Sequence, residues 1–351
     1  MKLLVTGASG FLGQYVVAQA LRNGHEVRAV VRPHRNEKPL AWHNHPKVEF
    51  IRLDLLNKNG ISDALSHVDA VIHLAAVKNG DFKTRFAGTV TATQNLLDAM
   101  EAANIMRLVN ISTFSVYDYY RSPSGTTITE ESLIESNPLE RDEYAQTKLI
   151  QEELVKKFER THNARVTIIR PGLIYGRDNL WNSLLGGKLT KNLWLRIGGY
   201  ATMPLVYVEN CAIAIVQAAE RNQAIGQIIN IVDDNLPTQK AYVKKLKKYK
   251  YSLPKMVPVN WTLMRAIAWT IWKCNKVILK GKAKLPGIAN PVILDARFKH
   301  FRFKNVRAKE ILNWKPKYSL DTALQRSCSN EELLQIEEYK ELEIKTVNSQ
   351  Q

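Results

Sequence analysis

The amino-acid sequence predicts an α/β protein built on a doubly wound parallel sheet, with a smaller, discontinuous C-terminal lobe. Three observations predict it: short runs rich in Val, Ile and Leu, helix-spaced segments between them, and a glycine-rich turn directly after the first run. The runs are "KLLVTG", "EVRAVVR", "VEFIRLD", "AVIHLAA", "RLVNIST" and "RVTIIRPG". Their apolar residues are nearly continuous rather than alternating, which suits strands covered on both faces. Between them "LGQYVVAQALRNG", "TATQNLLDAMEAAN" and "YAQTKLIQEELVKKFERT" show helical spacing. The first is expected to end at Gly24 and the last near Asn163. Alternation of this kind implies right-handed crossovers.

The regular pattern stops near residue 176. "PLVYVENCAIAIVQAAE" and "QIINIVD" read as later pieces of the main domain, expected over 1–176 and about 206–234. Residues 177–205 and about 235–330 form the second lobe. Residues 331–351 form a tail, its last dozen residues frayed. At 351 residues the chain can bury a large core. Cys211, Cys274 and Cys328 lie far apart, so neither a disulfide framework nor a metal site is expected. The N-terminus enters a strand without a secretory pattern, and a cytoplasmic protein is expected. The net charge of +17 asks for an anionic partner or surface. No nucleic-acid motif is present and no nucleic-acid partner is expected, which leaves anionic lipid headgroups or a phosphorylated substrate. Six lysines fall in "KAYVKKLKKYK", residues 240–250, where Val243 and Leu246 form the buried stripe of a solvated helix.

The turn is Gly7-x-x-Gly10-x-x-Gly13, between a strand ending in Thr6 and a helix. That context suits a dinucleotide. Gly7 permits the tight bend, Gly10 lets backbone approach a pyrophosphate, and Gly13 lets the helix pack on the strand. The helix start offers free N–H groups and the positive dipole end to the phosphates. The Rossmann fold is the architecture this implies. Ser9, Phe11 and Leu12 complete the expected phosphate-facing backbone. No carboxylate ends the second strand; Arg32 stands there, with Arg35 close behind. Arginine can pair with a 2′-phosphate, so NADP is expected, with NAD as the alternative and a surface cation as the other reading of Arg32. Asp54, with Leu55 beside it, is placed either to meet the adenine edge or to cap its own turn.

Residues 144–148 read Tyr-Ala-Gln-Thr-Lys, and positions one helical turn apart share a face. A phenol is a poor base at neutral pH unless cations favour the phenolate, and Lys148 beside Tyr144 supplies one. "VNISTFSVY" adds hydroxyls at Ser112, Thr113 and Ser115, at a strand's C-terminal end where ligands of open α/β sheets bind.

With "TGASGFLG", "LDL", "HLAA", "TQNLLDA", "ISTFSVY", "YAQTK", "RPGLIYG" and "PLVYVEN" in order, the chain resembles the extended short-chain dehydrogenase/reductases over nearly its whole length. The resemblance implies Tyr144 as acid/base, Lys148 as its modulator and ribose ligand, and Thr113 as the catalytic hydroxyl, with Ser112 as fallback. It matches Leu74, Ala75 and Ala76, and Pro171, Gly172 and Leu173, to segments lining the cofactor cleft. It implies a small-molecule substrate and a homodimer built on long helices. The chain departs from the family at Thr89, where an Asn is frequent, and at Ala92, where Gly is usual.

Members divide by substrate. The stretch 253–292 places Trp261, Met264, Ala268, Ile271 and Trp272 on one helical face, flanked by Arg265, Lys273 and Lys276. Charge interrupts it too much for a membrane span. A helix near 259–279 either lies in a membrane interface or packs on the substrate lobe. This segment and "FRFKNVRAKEILNWKPKYSLDTAL" resemble the 3β-hydroxysteroid dehydrogenase-like subgroup. The expected activity is hydride transfer between a nicotinamide and a secondary alcohol or ketone of a hydrophobic substrate. A nucleotide-sugar epimerase, dehydratase or reductase is the alternative, and a non-catalytic dinucleotide sensor a third.

Overall fold

Seven parallel strands carry the molecule in the computed structural model, which describes residues 1–33, 40–190, 192–249, 252–280, 282–283, 285–331 and 333–336. They are β1 (Lys2–Thr6), β2 (Glu26–Val31), β3 (Val48–Arg52), β4 (Ala70–His73), β5 (Arg107–Ile111), β6 (Arg165–Pro171) and β7 (Gln227–Ile231). Their order across the sheet is β7-β6-β5-β4-β1-β2-β3. The chain moves outward from β1 to β3, returns to β1's other side at β4, and moves outward again. The reversal opens a crevice above the C-terminal ends of β1 and β4, where open α/β sheets bind ligands.

Alternate residues feed two cores. Leu3, Val5, Ile72 and Val109 face one side with α1 (Phe11–Arg22), while Leu4, Val71 and Leu108 face the other with α2 (Ala92–Ala102) and α3 (Glu143–His162). Both faces are buried, so the strands carry unbroken apolar runs. Asn23 caps α1 with Gly24 following at φ 80°, and Asn163 caps α3 in the left-handed region at φ 50°. Helix α4 (Val208–Glu220) packs beside α1. In α5 (Gln239–Lys248) Tyr242, Val243 and Leu246 are buried while the lysines lie outside the buried stripe.

The C-terminal lobe is thinner. Strand Leu193–Ile197 pairs with Lys255–Val259 and Gly187–Lys188. Against this sheet lie α6 (Trp261–Ile278) and α7 (Pro291–Phe298), around a core of Ile197, Met264, Ala268, Leu294 and Phe298. Asn260 caps α6, and Arg265 ties it to Asp295 of α7 at 3.2 Å. The inner side of α6 holds Met264 and Ala268 as the sequence predicts, with Trp261 and Trp272 half-buried. Ile271 departs from the expectation. It is 41% exposed, and Asn275 takes the buried place in the next turn. The chain also stays packed beyond residue 331. Leu333 and Ile336 are buried, and Arg22 holds the Gln335 carbonyl at 2.9 Å, so the expected tail does not begin at 331. The frayed last dozen residues lie outside the described residues.

Candidate active site

Gly7 has a φ of 68°, and its amide-flanked bend sits against the Ala75 backbone, where a Cβ would come within 3.0 Å. At Gly13 a Cβ would fall 2.1 Å from the Gly7 carbonyl oxygen, so only glycine lets α1 lie on the turn. Helix α1 starts without a side-chain cap and without an acidic residue in its first turn. Its first N–H groups are left for an anion.

The second half of the site comes from β5 and α3. Thr113 leaves β5 in an extended conformation and its hydroxyl accepts the Ser115 N–H at 3.2 Å. Asp142 caps α3 by accepting the Ala145 N–H at 3.1 Å, which puts Tyr144 in the first turn and Lys148 one turn further in. The Thr113 hydroxyl donates to Ser115 Oγ at 3.3 Å and lies near enough to Tyr144 to act on its phenol. Burial pushes the phenol up to about 12, with the Thr113 contact pulling the other way. Lys148 is 3% exposed, and its ammonium donates to the Ile111 carbonyl and the Gln151 Oε1, each at 2.6 Å. Burial brings it down to about 7, Glu152 opposing and Lys78 adding to the fall. Ser112 is committed elsewhere. It donates to Glu152, which also receives Arg170 at 2.9 and 2.6 Å, and Arg170 in turn reaches the Tyr117 hydroxyl at 3.2 Å. Of the two candidate hydroxyls, Thr113 is the one beside the phenol.

A model of the NAD dependent epimerase/dehydratase family matches residues 3–232. The chain belongs to that family. It is an NAD-dependent enzyme of the extended short-chain type, with a relationship to 3β-hydroxysteroid dehydrogenases. The 3 beta-hydroxysteroid dehydrogenase/Delta 5→4-isomerase of Mycobacterium tuberculosis is 23% identical over 345 residues, covering 92% of this chain and 88% of that one. The sterol-4-alpha-carboxylate 3-dehydrogenase of Dictyostelium discoideum is 26% identical over 302 residues, 81% and 89% of the two chains. A shorter match, 32% over 181 residues to protein y4nG of Sinorhizobium fredii, takes in 50% of this chain and 42% of that protein. The fold is that of the UDP-glucuronic acid 4-epimerase of Bacillus cereus, solved with NAD, at a TM-score of 0.68 and 23% identity over 93% of this chain and 97% of the other.

The other expected cofactor residues of this epimerase/dehydratase chain stand at or just beyond the C-terminal ends of β2, β3, β4 and β6. Leu74, Ala75 and Ala76 follow β4 directly, the Ala75 N–H donating to the Thr6 hydroxyl at 3.3 Å. Pro171 ends β6, Gly172 packs so closely on Pro204 that a Cβ would lie 2.1 Å from its carbonyl oxygen, and Leu173 donates to that oxygen at 2.6 Å. Leu55 is buried next to Asp54, whose Oδ1 accepts the Leu56 N–H at 3.0 Å, so Asp54 does cap its own turn. Arg32 is exposed beyond β2 with no acidic partner among the described residues; Arg35 lies outside them. The uncapped helix start and the glycine-lined bend fit a dinucleotide.

Four side chains that sequence reasoning left out join the turn to Lys148. The Thr93 hydroxyl donates to the Thr89 carbonyl at 2.6 Å, and it accepts from the Gln151 amide at 2.8 Å. Its single proton being spent, His73 must donate to it through Nε2, at 2.9 Å. His73 Nδ1 then accepts from the Thr6 hydroxyl at 2.7 Å. Burial brings His73 down to about 3, with Lys148 adding to the fall, so the ring stays neutral. Thr89, where the resemblance leads one to look for Asn, holds the Val77 N–H at 3.1 Å and lies in a π-helical turn, Ala87–Thr91, leading into α2. Lys78, just past Ala75 and Ala76, comes near enough to Lys148 to act on its charge. Its place beyond a strand's C-terminal end was a signal in the sequence.

Proposed function

We propose that the protein is an NADP-preferring oxidoreductase that transfers hydride between the nicotinamide and a secondary alcohol or ketone carbon of a hydrophobic, sterol-like or long-chain substrate. The single observation that carries this reading is Thr113 beside the Tyr144 phenol with the buried Lys148 one helical turn further along α3. Tyr144 exchanges a proton with the substrate oxygen, and Thr113 holds that oxygen in line. Lys148 lowers the cost of the phenolate and meets the ribose hydroxyls; Ser112 is left to Glu152. The bound nicotinamide supplies the hydride acceptor or donor. Gly7, Ser9, Gly10, Phe11, Leu12 and Gly13 hold its pyrophosphate through backbone and helix dipole. Arg32, exposed and free of an acidic partner among the described residues, would pair with the 2′-phosphate. Asp54 and Leu55 border the adenine, while Leu74 to Ala76 and Pro171 to Leu173 line the cleft.

The substrate class is supported by the sterol-named relatives, whose alignments run through the C-terminal lobe. The enzyme is read as cytoplasmic and working against an anionic membrane, a contact that the exposed apolar residues of α6 and the basic excess of the chain support. The second reading, a nucleotide-sugar epimerase, dehydratase or reductase, rests on the same catalytic set. Nicotinamide absorbance separates them. Sterols or long-chain ketones should consume or produce reduced NADP in equal amount. Turnover of nucleotide sugars alone, with the cofactor recycled on the enzyme, would overturn the first reading.

A further inference from the structure

The outer side of α6 is apolar as well as the inner side. Leu263, Ile267, Ile271, Cys274 and Ile278 recur three or four residues apart and are all exposed, Leu263 by 57% and Ile278 by 73%. Val277 and Leu279 extend the stripe, at 71% and 50%. Along its border Lys273 lies over Trp269 at 4.7 Å, both exposed. Rings and amines paired in this way place the apolar body on one side and the charge in water, the arrangement of side chains at a bilayer's headgroup level.

We propose that this outer side of α6 is a docking surface for an anionic lipid bilayer, with the helix lying in the plane of the headgroups. The inference deepens the membrane-surface reading above and rests on it. Charge selects the occupant. Residues 235–294 contain 13 Lys and Arg and no Asp or Glu, whereas the other 291 residues carry 37 basic against 33 acidic. Within that segment Lys245, Arg265 and Lys276 pair with Asp321, Asp295 and Glu140. Lys240, Lys244, Lys247, Lys248, Lys255, Lys273, Lys280 and Lys282 have no acidic partner among the described residues. A second copy seated on α6 by two-fold symmetry would bring the unpaired Lys273, Lys280 and Lys282, on and just after the helix, against those of its partner. An anionic bilayer answers both the apolar stripe and the charge. No helix among the described residues is long and apolar enough to cross a membrane, so α6 lies on the surface.

The helix is tied on its other side to the turn that precedes the catalytic helix. Lys276 bonds Glu140 at 2.7 Å and Asn290 donates to the Glu140 carbonyl at 3.3 Å. Glu140 ends the turn Pro138–Glu140, which leads through Asp142 into α3 and Tyr144, and Leu139 in that turn is 85% exposed. A substrate dissolved in the bilayer would thus meet the protein one helix away from the start of the catalytic helix.

The test is co-sedimentation of the full chain with phosphatidylcholine vesicles, with and without an equal share of phosphatidylglycerol, alongside Trp fluorescence. Expected is binding to the anionic vesicles with a blue shift. The triple variant L263Q/I267Q/I271Q should weaken it at least about tenfold, and Lys273→Glu with Lys280→Glu should remove the anionic preference. Melting temperature and dinucleotide binding of the triple variant should match the unaltered protein, since the three side chains face water. Equal vesicle binding by the unaltered chain and the triple variant, no binding by either, or a dimer that the triple variant dissociates would overturn the proposal. Turnover in detergent solution is scored separately. Lost vesicle binding with turnover of sterols retained supports the docking surface together with the enzymatic reading, while vesicle binding with turnover only of nucleotide sugars overturns the substrate reading and leaves the surface intact.

Discussion

The long helices of the sheet domain lay their apolar faces on the sheet or on one another, whereas α6 in the C-terminal lobe carries one buried apolar strip and, next to it around the helix, a second that is exposed. Helix α3 turns Glu153, Lys157 and Arg160 to water and buries Val155 and Phe158. Helix α6 buries Met264 and Ala268 on the lobe and leaves Leu263, Ile267 and Ile278 exposed. The first pattern is what packing on the sheet requires, with Tyr144 and Lys148 added near the helix start for the chemistry. In the second, selection for a stable monomer cannot account for the outer residues, because polar replacements there would leave the fold unchanged. The difference separates what holds the enzyme together and does its chemistry from what decides where it works.

Substitutions can break or sharpen that contrast. The largest effect is expected at Tyr144→Phe, which removes the proton-exchanging hydroxyl from the sheet domain. Hydride turnover should fall about 10²–10⁴-fold, with dinucleotide binding kept, as read by nicotinamide absorbance and fluorescence titration. Full activity of this variant would remove the phenol from the chemistry. Next comes the inner side of α6. Met264→Ala should cost about 2–3 kcal/mol of stability, whereas Leu263→Gln one residue earlier should stay within about 0.5 kcal/mol. Urea unfolding of the two variants checks the assignment of inside and outside, and equal losses would erase it.

A smaller effect is expected at Gln151→Ala. It leaves the Lys148 ammonium one protein acceptor and takes a donor from Thr93, a loss of about 1.5–3 kcal/mol for a bond to a charged group. Because Gln151 acts through Lys148, the informative readout is the pH profile of turnover. Gln151→Glu, with a carboxylate against the ammonium, should hold Lys148 protonated to higher pH and move the profile upward, a shift that a purely structural role for Gln151 would not produce. A further effect is on stability with pH. Lys148 sits at about 7 in the folded chain against the ordinary 10.5, so between these values the unfolded chain binds the extra proton. The stability contributed by this group rises as pH goes from about 7 to 10.5, and is lost on acidification through 7. Relative to Lys148→Met, the unaltered protein without cofactor should therefore gain stability over that window, measured by urea midpoints; parallel curves would show that the amine is not desolvated.

Much of the sheet domain was legible in the sequence. Apolar runs without alternation mark strands covered twice, and Gly24 and Asn163 mark helix ends with residues that tolerate positive φ. Tyr144 and Lys148 were legible because a helical turn is a local property. The chain Thr6–His73–Thr93–Gln151 was not. It depends on β1 lying beside β4, Thr6 pairing with His73, and no local pattern announces which strands become neighbours. Ile271 was placed inside because a helix apolar on two sides gives no clue to which of them meets the core. The π-helical turn at 87–91 was invisible for a related reason, since it follows from where Thr89 must reach.

The buried bonds around Lys148 have a directional consequence. Its two protein partners, the Ile111 carbonyl and the Gln151 amide oxygen, accept hydrogen bonds but carry no proton to pass on, and behind them one Gln151 N–H and the His73 Nε2–H are committed to Thr93, whose own proton ends on the Thr89 carbonyl. A proton released by the amine has no route through the interior. It can depart only on the open side, where the phenol and the ligands gather, so the wiring beneath the site works as insulation and confines acid–base traffic to the crevice.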